Sequence, residues 1–247
     1  MKAIILVAGY ATRLYPLTLH TPKALLDING KAVLDYIYDE IETIDAIDEV
    51  YVVTNHKFYS HFTEWKGNRE TTKRIKVIDD GTSSDETKLG AIGDIRFIIE
   101  REKIKDDIMV LAGDNFFTYK LLDFYDFFKS TNKDCICVHE LEDSRELKRM
   151  GVALLDENNK VIHLEEKPEN PRSNMAVYAT YIYKRETLPL FETYIASGNK
   201  PDAPGYFPAW LYQRKDIYAY VFDGECYDIG THEAYEEVKA LFKVRAK

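Results

Sequence analysis

The chain has 247 residues, of which 45% are hydrophobic and 30% charged, with a formal net charge of −9. That balance suits a soluble α/β domain, alone or with a lid, and it lacks the basic stripe that marks a nucleic-acid partner. No apolar stretch reaches transmembrane length and no signal-like segment opens the chain, while Cys135, Cys137 and Cys226 are too few and wrongly spaced for zinc or a disulfide framework. The expectation is a cytoplasmic protein with no membrane partner.

Residues 2–8 form a short apolar run that reads as a buried parallel strand. The next stretch is too rich in Gly, Thr and Pro to be helical at once, so it leaves the strand as a loop. In open α/β sheets ligands bind beyond that carboxyl end. Residues 33–44 place Val33, Ile37, Ile41 and Ile44 on one helical face. A strand at 50–54, a helix at 58–65, a strand at 75–78, a helix at 89–99 and a buried strand at 108–112 follow. Such alternation predicts a Rossmann-like, mostly parallel mixed sheet flanked by helices. Neither Gly-x-Gly-x-x-Gly nor a P-loop is present.

The second half reads as a helix at 121–129, a strand at 135–139, and short strands at 152–155, 161–165 and 176–183, in part antiparallel. A helix at 187–196, a surface excursion at 198–205, a helix at 207–213, a strand at 217–222 and a closing helix at 231–243 complete it. With no repeat or linker, one domain is expected over 1–247. Its core spans about 1–140, a smaller strand-rich part about 141–230, and the closing helix packs last.

Charge placement suggests chemistry. Arg13 and Lys23 sit in the loop after the first strand, where backbone N–H groups and two fixed cations suit a triphosphate. A turn with two solvated cations is the plainer alternative. Asp114, at the end of a buried strand, should face the same crevice as Gly9. A carboxylate beside a triphosphate needs a divalent cation between them, and Mg²⁺ takes one or two carboxylates plus phosphate oxygens. Read alone, Gly113-Asp114-Asn115 is also an ordinary turn. Asp228 and the Glu165-Glu166-Lys167 group, by themselves, read as structural or solvated. The six histidines form no ligand spacing.

Residues 7–18 and 21–31 resemble the signature of the sugar-1-phosphate nucleotidylyltransferases, with Ala11 and Ala24 replacing a usual glycine and proline. The resemblance extends to 113–115, 164–168 and 227–231. It implies transfer of a nucleoside monophosphate from a nucleoside triphosphate to a sugar 1-phosphate, giving an NDP-sugar and pyrophosphate, with Mg²⁺ as cofactor. By the same resemblance Ala8, Gly9, Ala11 and Thr12 meet the nucleotide and Gly90 lies against the base. Asp114 and Asp228 share the metal, while Gly151, Glu166 and Lys167 hold the sugar phosphate, making residues 141–230 the sugar-binding part. Ala179 and Cys226 depart from the family's usual glycine and aromatic.

The sugar phosphate is largely ionised at neutral pH, since the second pKa of a phosphate monoester is about 6. No general base is therefore needed. Arg13 would steady the β- and γ-phosphates and Lys23 the α-phosphate. A thymidylyl or uridylyl enzyme acting on glucose 1-phosphate is the first expectation, although 201–205 departs from the commoner thymidylyl pattern. Guanylyl transfer to mannose 1-phosphate and cytidylyl transfer stand behind it. A glycosyltransferase, or a non-catalytic nucleotide-sensing subunit, is the alternative of another class. Homo-oligomerisation stays open, and with no β-helical or acyltransferase segment after the closing helix, no second activity is expected.

Overall fold

Residues 1–245 are described in the structure, a computed structural model. The chain begins with β1 (Lys2–Leu6), then a loop with single 3-10 turns at Thr12–Leu14 and Lys23–Leu25. A small hairpin of β2 (Asp27–Ile28) and β3 (Lys31–Ala32) leads into α1 (Val33–Glu42). There follow β4 (Glu49–Thr54), α2 (Tyr59–Gly67), β5 (Arg74–Asp79), α3 (Ala91–Arg101) and β6 (Ile108–Ala112). β1 pairs in parallel with β4 and β6, and β4 with β5. Every residue of β4 is buried, as a parallel strand covered on both faces requires. Side chains alternate as the pleat dictates: Ala3 and Ile5 join one core, Ile4 the other.

The second half supplies β7 (Asn115–Phe117), α4 (Leu121–Thr131), β8 (Asp134–Glu140), a one-turn α5 (Ser144–Leu147), β9 (Gly151–Leu155) and β10 (Val161–Glu166). Then come β11 (Met175–Tyr183), α6 (Pro189–Ala196), α7 (Tyr206–Leu211), β12 (Ile217–Val221), β13 (Cys226–Asp228) and α8 (His232–Arg245). One nine-stranded mixed sheet flanked by helices runs through both halves, in agreement with the fold class expected.

β11 organises the junction. Thr180–Tyr183 pair antiparallel with β6, while Met175–Val177 pair with β9; β8 runs along the whole opposite edge. A strand has only two edges, so β9 takes up the edge of β11 where β6 leaves off. Thr180 faces Leu111 and Val177 faces Gly151. Gly151 therefore stands level with the residues just past the end of β6, and the β9–β10 hairpin rises beyond the carboxyl edge of the parallel strands.

Four features differ from the sequence reading. The hairpin β2–β3 and the short pair β7–β13 were not expected, because strands of two or three residues carry no periodic pattern. α1 ends at Glu42 rather than 44, where Thr43 and Ile44 donate 3-10 hydrogen bonds to Glu40 and Ile41. The 198–205 segment is not a free excursion: the Pro201 and Asp202 carbonyls accept from the Ile92 and Ala91 N–H groups at 2.9 and 3.0 Å, docking it on the start of α3.

Candidate active site

The loop after β1 is held from below by buried side chains. Asn55 Nδ2 donates to the Ala8 carbonyl at 2.8 Å, and Thr18 Oγ1 donates to the Ala11 carbonyl at 2.7 Å. Both residues are fully buried. Ala11 sits in the left-handed region at φ 48. An alanine there costs roughly 1–2 kcal/mol, where a glycine costs none. Lys167, at φ 54 just after β10, is strained in the same way. Backbone strain of this kind concentrates at functional sites.

Two glycines in this region have opposite meanings. A Cβ on Gly113 would lie 2.2 Å from Val7 Cγ1, so packing against the end of β1 demands a glycine. A Cβ on Gly9 would meet nothing within 4 Å, so its bareness serves open space. That space is a cavity of about 320 Å³, lined among others by Gly9, Ala11, Thr12, Arg13, Lys23 and Asp114. Tyr10, Asp85 and Lys88 also line it, and sequence reasoning missed all three. Lys88 pairs with Asp85 at 3.1 Å and adds a third cation to the wall. The polar segment 79–88 carried no periodicity from which that placement could be read.

Asp114 leaves the end of β6, and Asp228 reaches it because β13 pairs antiparallel with β7, setting Asp228 opposite Asn115. Lys23 Nζ lies 2.9 Å from Asp114 Oδ2 and 2.9 Å from Asp228 Oδ1. Its side chain is 11% exposed, against 41% and 65% for the two aspartates. Burial disfavours the ammonium, but the charges of Asp114 and Asp228 outweigh it and raise the Lys23 pKa above its usual value. The two carboxylates thus converge on one cation.

That convergence tests the site against the expected Mg²⁺. Among the described residues no group of three or more His, Cys, Asp or Glu gathers. A pair of hard oxygen donors aimed at one point is nevertheless what Mg²⁺ uses when phosphate and water complete its shell. The residues fit the ion.

Gly151 and Glu166 face each other across the β9–β10 pairing, at the crevice level that β11 sets. Neither they nor Lys167 line the 320 Å³ cavity; they stand on the hairpin beyond it. Burial pushes the Glu166 carboxyl up to about 6, with the Lys167 charge working against it. Gly90, at φ 79, is covered by the 198–205 segment: a Cβ there would come within 2.6 Å of the Pro201 carbonyl oxygen. Asp80 is committed inside the protein, its Oδ1 accepting from Thr82 N and Oγ1 at 2.7 Å each. No helix among the described residues is long and apolar enough to cross a membrane.

A family model described as "Nucleotidyl transferase" matches residues 2–243. A Sulfolobus acidocaldarius protein bearing the name of a mannose-1-phosphate guanyltransferase is 28% identical over 96% of this chain and 62% of its own length. A glucose-1-phosphate adenylyltransferase from Clostridium acetobutylicum is 29% identical over 95% of this chain and 65% of its own. The chain thus spans less than two thirds of the length of these curated relatives. Among solved structures, one named for a glucose-1-phosphate thymidylyltransferase from Bacillus anthracis, crystallised with sucrose, aligns with a TM-score of 0.77. It is 25% identical, covering 98% of this chain and 94% of that one.

Proposed function

As the chain belongs to the nucleotidyl transferase family, we propose that it transfers a nucleoside monophosphate from a nucleoside triphosphate to a sugar 1-phosphate, releasing pyrophosphate with Mg²⁺. The observation that carries this reading is the Lys23 ammonium held between Asp114 and Asp228 at the mouth of an open, glycine-floored cavity. It joins phosphate-binding cations to metal-suited acids in one place. The relatives named for the same reaction class support it.

The chemistry follows from charge. Two anions must be held in line, so catalysis rests on positioning and electrostatic neutralisation. Gly9, Ala11 and Thr12 line the cavity where a triphosphate would lie, Ala8 being buried beneath them with its carbonyl held by Asn55, and Arg13 meets its β- and γ-phosphates. Lys23, freed from its carboxylates by an arriving phosphate, turns to the α-phosphate under attack. Asp114 and Asp228 would hold Mg²⁺, which supplies positive charge to the phosphates when bound. Gly151, Glu166 and Lys167 receive the sugar phosphate from the hairpin side: Lys167 its anion, Glu166 its hydroxyls. The nucleophile is already ionised, so no side chain has to remove a proton.

dTTP or UTP with glucose 1-phosphate is the substrate pair we put first. Guanylyl transfer to mannose 1-phosphate is the second reading, favoured by the name of the Sulfolobus relative. Incubation with each common triphosphate, a panel of sugar 1-phosphates and Mg²⁺ should release pyrophosphate from one preferred pair. Tight triphosphate binding without pyrophosphate from any pair would replace this proposal with a nucleotide-sensing subunit. Release of a nucleoside diphosphate from an NDP-sugar would make it a glycosyltransferase.

A further inference from the structure

The segment 199–205 touches both sides of the crevice. On the nucleotide side its Pro201 and Asp202 carbonyls take up the N–H groups of Ile92 and Ala91, at the first turn of α3. Gly90, with its positive φ, leaves room for that approach. On the other side, Gly205 lies against the Glu166 carboxylate. A Cβ on Gly205 would fall 2.0 Å from Oε2 and 2.8 Å from the carboxyl carbon. Ahead of both contacts the segment is tied to α6, where Tyr194 OH donates to the Lys200 carbonyl at 2.7 Å and Asn199 Nδ2 to the Tyr194 carbonyl at 2.8 Å.

Among the described residues Glu166 has no hydrogen-bond partner in its half-buried site, so its carboxylate oxygens remain available to hydroxyl donors. Packing limits its direction: a Cβ on Gly151 would lie 3.0 Å from Oε2, and one on Gly205 2.0 Å from the same oxygen. A carboxylate aimed by two glycines can move only where they leave space.

We propose that residues 199–205 form a strap joining the nucleotide wall to the sugar wall, and that Gly205 is the positioning residue that aims the Glu166 carboxylate at the sugar hydroxyls. The inference rests on the proposed reaction and goes beyond it, because it assigns acceptor alignment to a segment outside the strands that carry the charged groups. Side chains larger than glycine at 205 displace Glu166, whereas the cations around Gly9 are untouched.

The test is a double-mutant cycle read as KM against kcat. Gly205→Ala should raise KM for the sugar 1-phosphate about tenfold, the cost of one misplaced charge-assisted hydrogen bond, with KM for the triphosphate within about twofold. Glu166→Asp shortens the carboxylate by one methylene and removes the collision, so Gly205→Ala in that background should add less than about twofold. Tyr194→Phe, which loosens the strap without touching the crevice, should shift the same KM in the same direction by a smaller factor, and it keeps the question decidable if Gly205→Ala does not fold. An equal effect of Gly205→Ala in both backgrounds, or an equal rise in KM for the triphosphate, overturns the strap, as does an unchanged sugar-phosphate KM in Tyr194→Phe should Gly205→Ala be unfolded. A wild-type protein that turns over no substrate pair overturns the reaction itself, so the two failures are told apart.

Discussion

Two pairs of aspartates stand at the carboxyl edge of the parallel strands, and they solve the same electrostatic problem differently. Asp114 and Asp228 are half-exposed and meet across the Lys23 ammonium at 2.9 Å each. Asp80 and Asp94 are 8% and 4% exposed and make no ion pair among the described residues. Asp80 Oδ2 and Asp94 Oδ1 are both buried with no hydrogen-bond partner among the described residues, a setting in which neighbouring carboxyl groups favour keeping a proton. Burial, followed by the charge of Asp80, pushes Asp94 up to about 8. Where solvent and a lysine are at hand, acids stay charged and available to a cation; where neither is, the proton becomes part of the packing. The first pair is suited to chemistry, the second to holding the end of β5 against the start of α3.

The comparison breaks most visibly at Lys23. Lys23→Ala removes the cation from the exposed pair and from the triphosphate, and turnover should fall ~10²–10³-fold, the scale of losing one positioned charge in an active site. Steady-state kinetics at saturating Mg²⁺ provide the check. A variant with near-full turnover would show that Lys23 serves only as a counter-ion for its two acids. Asp228→Asn comes next. If the exposed pair holds the metal, the Mg²⁺ concentration for half-maximal rate should rise by at least the ~10–100-fold that follows loss of even an outer-shell partner. A Mg²⁺ titration of rate that superimposes on wild type would strip the pair of that role.

The buried pair should answer to pH instead. An unfolded aspartate titrates near 3.9, so between that value and about 8 the folded protein holds a proton that the unfolded chain has released. Stability therefore falls as pH rises through this window, and the loss is complete above the folded pKa. Asp94→Asn keeps a donor toward Asp80 at every pH. Its melting temperature should decline less than that of wild type between pH 6 and 9, by about 2–4 °C for each kcal/mol involved. Parallel melting curves for the two proteins across that range would mean that no proton is shared.

The sequence disclosed these pairs unequally. Asp114 was legible because it ends an apolar run, and Arg13 and Lys23 because they lie within one loop of another such run. Their convergence with Asp228 was not, since it depends on β7 and β13, three-residue strands whose pairing is a tertiary event. Asp94 looked like one more polar residue of an amphipathic helix; nothing local says that it faces Asp80. The docking of 199–205 was hidden for a related reason. Its Gly, Pro and Asn content announces a loop, but the surface receiving it is created by Gly90 on a distant helix start. Periodicity reports which face of an element is buried, and says nothing about which loop covers its end.

The smallest effect concerns the loop that serves the exposed pair. Ala11 holds φ 48, a conformation that costs alanine roughly 1–2 kcal/mol, while glycine would add about 0.4–1 kcal/mol of unfolded-state entropy to be lost. The strain exceeds the entropy, so Ala11→Gly should stabilise the protein by up to ~1 kcal/mol, read as a small rise in melting temperature. Thr18 sharpens the argument, because its hydroxyl fixes the Ala11 carbonyl at 2.7 Å from a fully buried position. If that bond is what enforces the strained turn, Thr18→Val should abolish the gain from Ala11→Gly by letting the loop relax with alanine in place. If instead the gain persists in the Thr18→Val background, the turn is imposed by the chain on either side of it, by Asn55 beneath Ala8 and the 3-10 turn at Thr12–Leu14.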